Sequence, residues 1–190
     1  MVSKDFEEVA FKHLDYLEGA VKEVSDIYEK NSKFDRDSVA YPIDLIEQLE
    51  YISQEIDKSL NAKFSEKLSE LKNKFKKLQE SMGQDFLDEA FREFVLLSKY
   101  YSNEVDEMII KNFREDLWPH YDDVIIQRDN LEVLSKFLNG KRNISQMLRE
   151  IEVADAKFKD NIKGFSKHYD VYDDEYYPKS FWWRHLKKIK

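Results

Sequence analysis

The chain has 190 residues, 42% hydrophobic and 37% charged, with a net charge of −8, four Gly and three Pro. That apolar content sustains a core and excludes wholesale disorder, while so few breakers among so many charges describe long, solvated helices. The acidic balance disfavours general nucleic-acid binding, and the absence of Cys rules out disulfides, thiolate metal sites and Cys nucleophiles.

The first helix is predicted over residues 4–31. Ser3 is placed to cap it, and Asp5, Glu7 and Glu8 fall in its first turn, where acids suit the helix dipole. Phe6, Ala10, Leu14, Leu17, Val21, Val24 and Tyr28 recur in steps of three and four, which is one buried stripe. A polar stretch, 31–40, follows. Pro42 suits the first position of a second helix, and no Gly or Pro interrupts the chain again until Gly83. Leu45, Leu49, Ile52, Ile56, Leu60, Phe64, Leu68, Leu71, Phe75, Leu78 and Met82 carry its apolar face. A continuous helix over that span would be about 60 Å long. Its four-residue steps make the stripe drift, which favours a kink near residues 59–62. Lys72, Lys74, Lys76 and Lys77 are bracketed by Glu66, Glu70 and Glu80, a salt-bridged solvated face.

Gly83 reads as a helix C′ residue and Asp85 as the next N-cap. A third helix over 86–117 carries Leu87, Phe91, Phe94, Val95, Tyr101, Val105, Met108, Ile109 and Phe113 and is ended by Pro119. The fourth, 121–138, uses Val124, Ile125, Leu131, Leu134 and Phe137 and stops at Gly140. The fifth opens at Asn143, with Gln146 three residues on, buries Ile144, Leu148, Ile151, Phe158, Ile162 and Phe165, and fades near His168. The fold class is therefore all-α: an elongated antiparallel bundle of about five helices, residues 1–168, followed by an aromatic C-terminal segment, 169–190.

That segment holds Tyr169, Tyr172, Tyr176, Tyr177, Phe181, Trp182 and Trp183, with acids only before Pro178 and bases only after it. Exposed aromatic surface on this scale docks on something. Ser180 can cap a short helix with Trp182, Leu186 and Ile189 on one side. Its face then packs back on the bundle, inserts into another protein, or lies on an anionic membrane. The acidic stretch 170–175 counts against the membrane.

Catalytic and cofactor signatures are sparse. The Gly residues at 19, 83, 140 and 164 are isolated, which excludes a phosphate-cradling loop. None of the four His follows a Glu by three residues or pairs with another His at ligand spacing, so neither metal nor cofactor is expected. Asp122–Asp123 and Asp173–Asp174 read as solvated surface. The stretch from Arg114 through Glu115, Asp116, Leu117, Trp118 and Pro119 to His120 resembles the spaced Arg and His motif of the HEPN ribonucleases. Those are all-α proteins in which Arg and His of a dimer act on the RNA backbone. The resemblance implies a metal-independent ribonuclease with His120 as general acid or base and Arg114 stabilising phosphorane charge. Glu115 departs from the neutral residue common there, and Pro119 interrupts the helix.

The main expectation is a non-enzymatic helical interaction protein, a subunit or accessory factor of a protein assembly. It would dock through Tyr176, Tyr177, Phe181, Trp182, Trp183 and Arg184, with membrane contact by that segment a minor role. Ribonuclease action through Arg114 and His120 is the alternative; an acidic inhibitor or immunity-type protein blocking a basic partner surface is another. No run of roughly 18 apolar residues exists and the first eight residues are mixed-charge and acidic, so the expected setting is soluble, intracellular and reducing.

Overall fold

A computed structural model describes residues 4–30, 34, 38–54, 58–112, 118–168 and 174–188. The fold is all-α. In chain order the helices are α1 (Lys4–Glu29), α2 (Ala40–Ile52), α3 (Lys58–Met82), α4 (Gln84–Ile110), α5 (Trp118–Leu138), α6 (Ser145–Asp160) and α7 (Ile162–His168), followed by a 3₁₀ helix, Trp182–Lys188. Among the described residues none forms a strand, and no helix is long and apolar enough to cross a membrane.

The step from five predicted helices to seven comes from two breaks, both made by short polar side chains. The second predicted helix divides at Ser53, ahead of the expected 59–62. There the Ser53 hydroxyl donates to Glu50 O at 2.7 Å, Gln54 N reaches back only three residues to Tyr51 O, and Asn61 Nδ2 donates to Ser53 O at 2.9 Å. Side chains thus take over the helix carbonyls. The fifth divides at Asn161, whose amide N–H is shared between Lys157 O and Phe158 O while its side chain also donates to Lys157 O at 2.9 Å.

Two further boundaries moved. The third predicted helix stops at Ile110 rather than 117, because Asn112 adopts a left-handed conformation, φ 52°, that Asn tolerates better than most residues. Pro119 begins α5 instead of ending α4; in a first turn its missing N–H costs no hydrogen bond. Gly83 (φ 55°) and Gly140 (φ 72°) close their helices as expected. Asn143 Oδ1 accepts from Ser145 N at 3.3 Å, but Gln146 pairs forward with Glu150 rather than back, so the capping box is only half formed.

The chain divides into two compact units, residues 1–90 and 91–190. In the first unit α1 packs on both α2 and α3, and α2 on α3. Ala10, Leu14, Leu17, Val21 and Val24 form the buried stripe of α1, facing Leu45, Leu49, Phe64, Leu68, Leu71 and Phe75. Phe11 meets Phe64 edge-on at 5.6 Å. The basic side of α3 is partly neutralised from within the unit: Lys67 pairs with Asp15 and Glu18, and Lys72 with Glu50.

In the second unit α5 is buried on most of its circumference. Tyr121, Val124, Ile125, Leu131, Val133, Leu134 and Leu138 supply apolar contacts, and Gln127, Arg128, Asp129 and Asn130 are buried as well. Phe94, Leu97, Tyr101, Val105 and Met108 of α4 and Ile151, Ala154 and Phe158 of α6 complete this core. The C-terminal 3₁₀ helix packs on α5 within the same unit.

Candidate functional site

Four consecutive polar residues, 127–130, occupy the middle of α5 where an apolar stripe would otherwise continue. A buried charge persists only when it is paired and hydrogen-bonded, so Arg128 and Asp129 must each recruit a partner. Arg128 recruits Asp155 of α6: Nε lies 3.0 and 3.2 Å from the two carboxylate oxygens, and Nη2 lies 3.1 Å from Oδ2. Its Nη1 donates to Glu132 one turn on, at 3.2 Å. Tyr101 of α4 donates its hydroxyl to the same Asp155 at 2.7 Å. The guanidinium lies 4.0 Å over the Trp183 ring.

Asp129, one residue on, faces the C-terminal segment. It accepts the Trp183 indole N–H at 2.6 Å and a two-pronged contact from Arg184, whose Nε is 3.0 Å from Oδ2 and whose Nη2 bonds the same oxygen. Arg184 also neighbours Asp174, at 3.7 Å, and covers the Tyr177 ring at 4.4 Å. Burial pushes the Asp129 carboxyl above the ordinary carboxylate value, against the opposing pull of the Arg184 charge and the hydrogen bonds from Arg184 and Trp183. Burial, the largest single influence, would lower Arg184, but the Asp129, Tyr177 and Asp174 charges and the hydrogen bond to Asp129 together outweigh it and hold the guanidinium above its usual range. The two side chains form a buried, two-pronged hydrogen-bonded pair. Such a pair specifies where the segment sits more than it adds net stability.

The aromatic residues expected to meet a partner are mostly turned into their own unit. Tyr177, Phe181 and Trp183 are buried, Trp183 to 1% exposure, with the Phe181 ring between Tyr177 at 5.4 Å and Trp183 at 5.0 Å and tilted to both, by 44° and 45°. Lys136 of α5 covers Phe181 at 5.0 Å. Trp182 and Tyr176 are half-buried; Trp182 rests on Phe158 of α6 at 5.9 Å, under Lys159. The inward face carries Phe181 and Trp183 beside the expected Leu186, with Trp182 only half-buried, because the segment winds as a 3₁₀ helix interrupted at His185 (φ −123°, ψ 35°). His185 Nε2 faces the carbonyls of Tyr177 and Pro178 at 3.1 and 3.3 Å, so Nε2 carries the ring proton and donates it. Tyr169, Tyr172 and Ile189 lie outside the described residues.

The expected ribonuclease pair falls outside what the structure describes. Arg114 lies outside the described residues, and for His120 the description stops at its backbone place in the first turn of α5. Among the described residues no group of three or more His, Asp or Glu is arranged to hold a metal ion.

Arg128, Asp129 and Asp155, which organise this site, were not singled out by sequence periodicity, and Tyr101 was read only as part of the apolar face of its helix. A signal existed. Between Ile126 and Leu131 the series of α5 is interrupted by four polar residues, 127–130, just over a full turn in which only polar side chains could line a core-facing side. No protein-family model matches the chain, and no curated protein or solved structure is similar to it.

Proposed function

We propose that this protein is a non-enzymatic helical interaction protein, a subunit or accessory factor that docks a protein partner along α4. The observation that carries the reading is the set of large apolar side chains that α4 displays to solvent. Ile110 is 81% exposed, Tyr100 44% and Leu96 37%. At about 100° per residue the three fall within an arc of about 80°, so they form one side of the helix. Leu96 and Tyr100 sit one turn apart and Ile110 lies about 15 Å further along the same side, beyond Asn103 and Glu107, so the three are apolar points along one side that an amphipathic partner element can cover. The buried charges of the unit point the same way. Arg128 pairs with Asp155, which also accepts from Tyr101, and Asp129 pairs with Arg184, so these contacts tie α5 to α6, to α4 and to the C-terminal segment, which suits a scaffold.

Affinity capture from native cells, with the wild type beside a Leu96→Asp, Ile110→Asp double variant, tests this. The expected result is a defined partner held by the wild type and lost by a variant of undiminished helical circular dichroism. Equal retention by both would remove α4 from the interface.

A further inference from the structure

The exposed side of α4 carries a pattern that docking of an unrelated protein does not require. Counted outwards from Asn103, residues at equal distances on either hand are chemical complements. Seven residues away stand Leu96 and Ile110, both apolar; four away, Lys99 and Glu107, of opposite charge; three away, Tyr100 and Asp106, a phenol donor and a carboxylate acceptor. At about 100° per residue these six positions and Asn103 fall within an arc of about 120° centred on Asn103. Leu96, Lys99, Tyr100, Asn103 and Ile110 are exposed, and the side chains of Asp106 and Glu107 are partly so. All of them belong to the part of α4 that lies in the second unit.

Symmetry gives this pattern its meaning. In a two-fold interface residue i meets j and j meets i, so the surface must complement itself. Two copies of α4 laid antiparallel about an axis at Asn103 bring each residue against the one equally far beyond Asn103 in the other copy, in height and in angle alike. Leu96 then packs on Ile110 of the second copy, Lys99 meets its Glu107, and Tyr100 can donate its hydroxyl to its Asp106. The two Asn103 amides, each both donor and acceptor, pair on the axis, and one polar Asn in a helix seam fixes its register. A parallel pairing would instead set Lys99 towards Lys99 and Glu107 towards Glu107. Within the chain Glu107 holds Lys111 and Asp106 holds Lys157. A carboxylate has lone pairs for a second donor, so neither contact has to break. The seam from Leu96 to Ile110 is about 21 Å long, which places it among the small, reversibly associating interfaces.

We infer that the partner of α4 is a second copy of the chain, held antiparallel across a two-fold axis at Asn103. This rests on the reading of α4 as the docking face and names what docks there.

Sedimentation equilibrium of the pure full-length chain, up to about 1 mM, should give a mass that rises with concentration towards twice that of one chain. Lys99→Glu and Glu107→Lys should each weaken this association about tenfold or more, because both copies of the contact turn from opposite to like charge. An equimolar mixture of K99E and E107K should associate again, since a mixed pair joins opposite charges at both places. A wild type that stays monomeric throughout, or a dimer indifferent to both substitutions, would overturn the inference. If either substitution costs helical signal, Asn103→Asp decides instead: it sets two carboxylates on the axis and should return the chain to monomer, and an unchanged dimer would refute the axis. The docking face is judged separately by affinity capture. A monomeric chain that holds another protein, and loses it on the Leu96→Asp, Ile110→Asp change, would overturn the second copy while leaving α4 as the docking face.

Discussion

Tyr101 shows how much a single buried hydroxyl can decide. Its ring is buried on α4, and its oxygen lies 2.7 Å from an Asp155 carboxylate that also receives Arg128. Burial, and then the Asp155 charge and hydrogen bond, push its ionisation well above the ordinary tyrosine value of 10.0, while Arg128 pulls the other way. The sign of the pH dependence follows. Below about pH 10 folded and unfolded chains both keep the proton, and the contribution to stability is complete. As pH rises from 10 towards the raised folded value, the unfolded chain loses a proton that the folded chain retains, and stability falls. Tyr101→Phe should cost about 1–2 kcal/mol at neutral pH and flatten this alkaline decline. Urea midpoints of both proteins between pH 8 and 11 check it; parallel curves would mean that Tyr101 is not the titrating group.

At the scale of the element, α1 is instructive because its periodicity was fully readable and one residue still breaks the local rule. Its stripe from Ala10 to Val24 is buried as the spacing predicts, since a helix against a core has little choice of which face to hide. Gly19 stands on the other side, in mid-helix, where glycine is a poor helix former, and a Cβ added there meets nothing within 4 Å. Gly19→Ala should therefore stabilise the protein by about 0.5–1 kcal/mol, read as a higher urea midpoint. A loss of stability would show that something approaches the Gly19 backbone closely. The breaks at Ser53 and Asn161 were harder to read. Ser and Asn are unremarkable on a helix surface until their side chains take a backbone carbonyl, and that choice is made by local geometry rather than by periodicity.

Across the whole molecule, the all-α class was legible from few breakers and a 3.6-residue period, and the aromatic segment was legible as an element that docks. Where it docks was not, because pattern alone does not distinguish a hot spot for a partner from a core contact: both ask for Trp, Tyr and Arg. The missing half of the information was Asp129, an acid inside a helix that gives no periodic signal and gains meaning only when Trp183 and Arg184 arrive 54 and 55 residues later. The central claim is that this one carboxylate clamps the C-terminal segment into the second unit. A double-mutant cycle of Asp129→Ala and Arg184→Ala, measured by urea unfolding, tests it most directly. Each single change should cost about 3–5 kcal/mol, because it strands a buried charge, and the double variant should cost scarcely more than either. Additive losses, with the double variant close to the sum of the singles, would contradict the clamp.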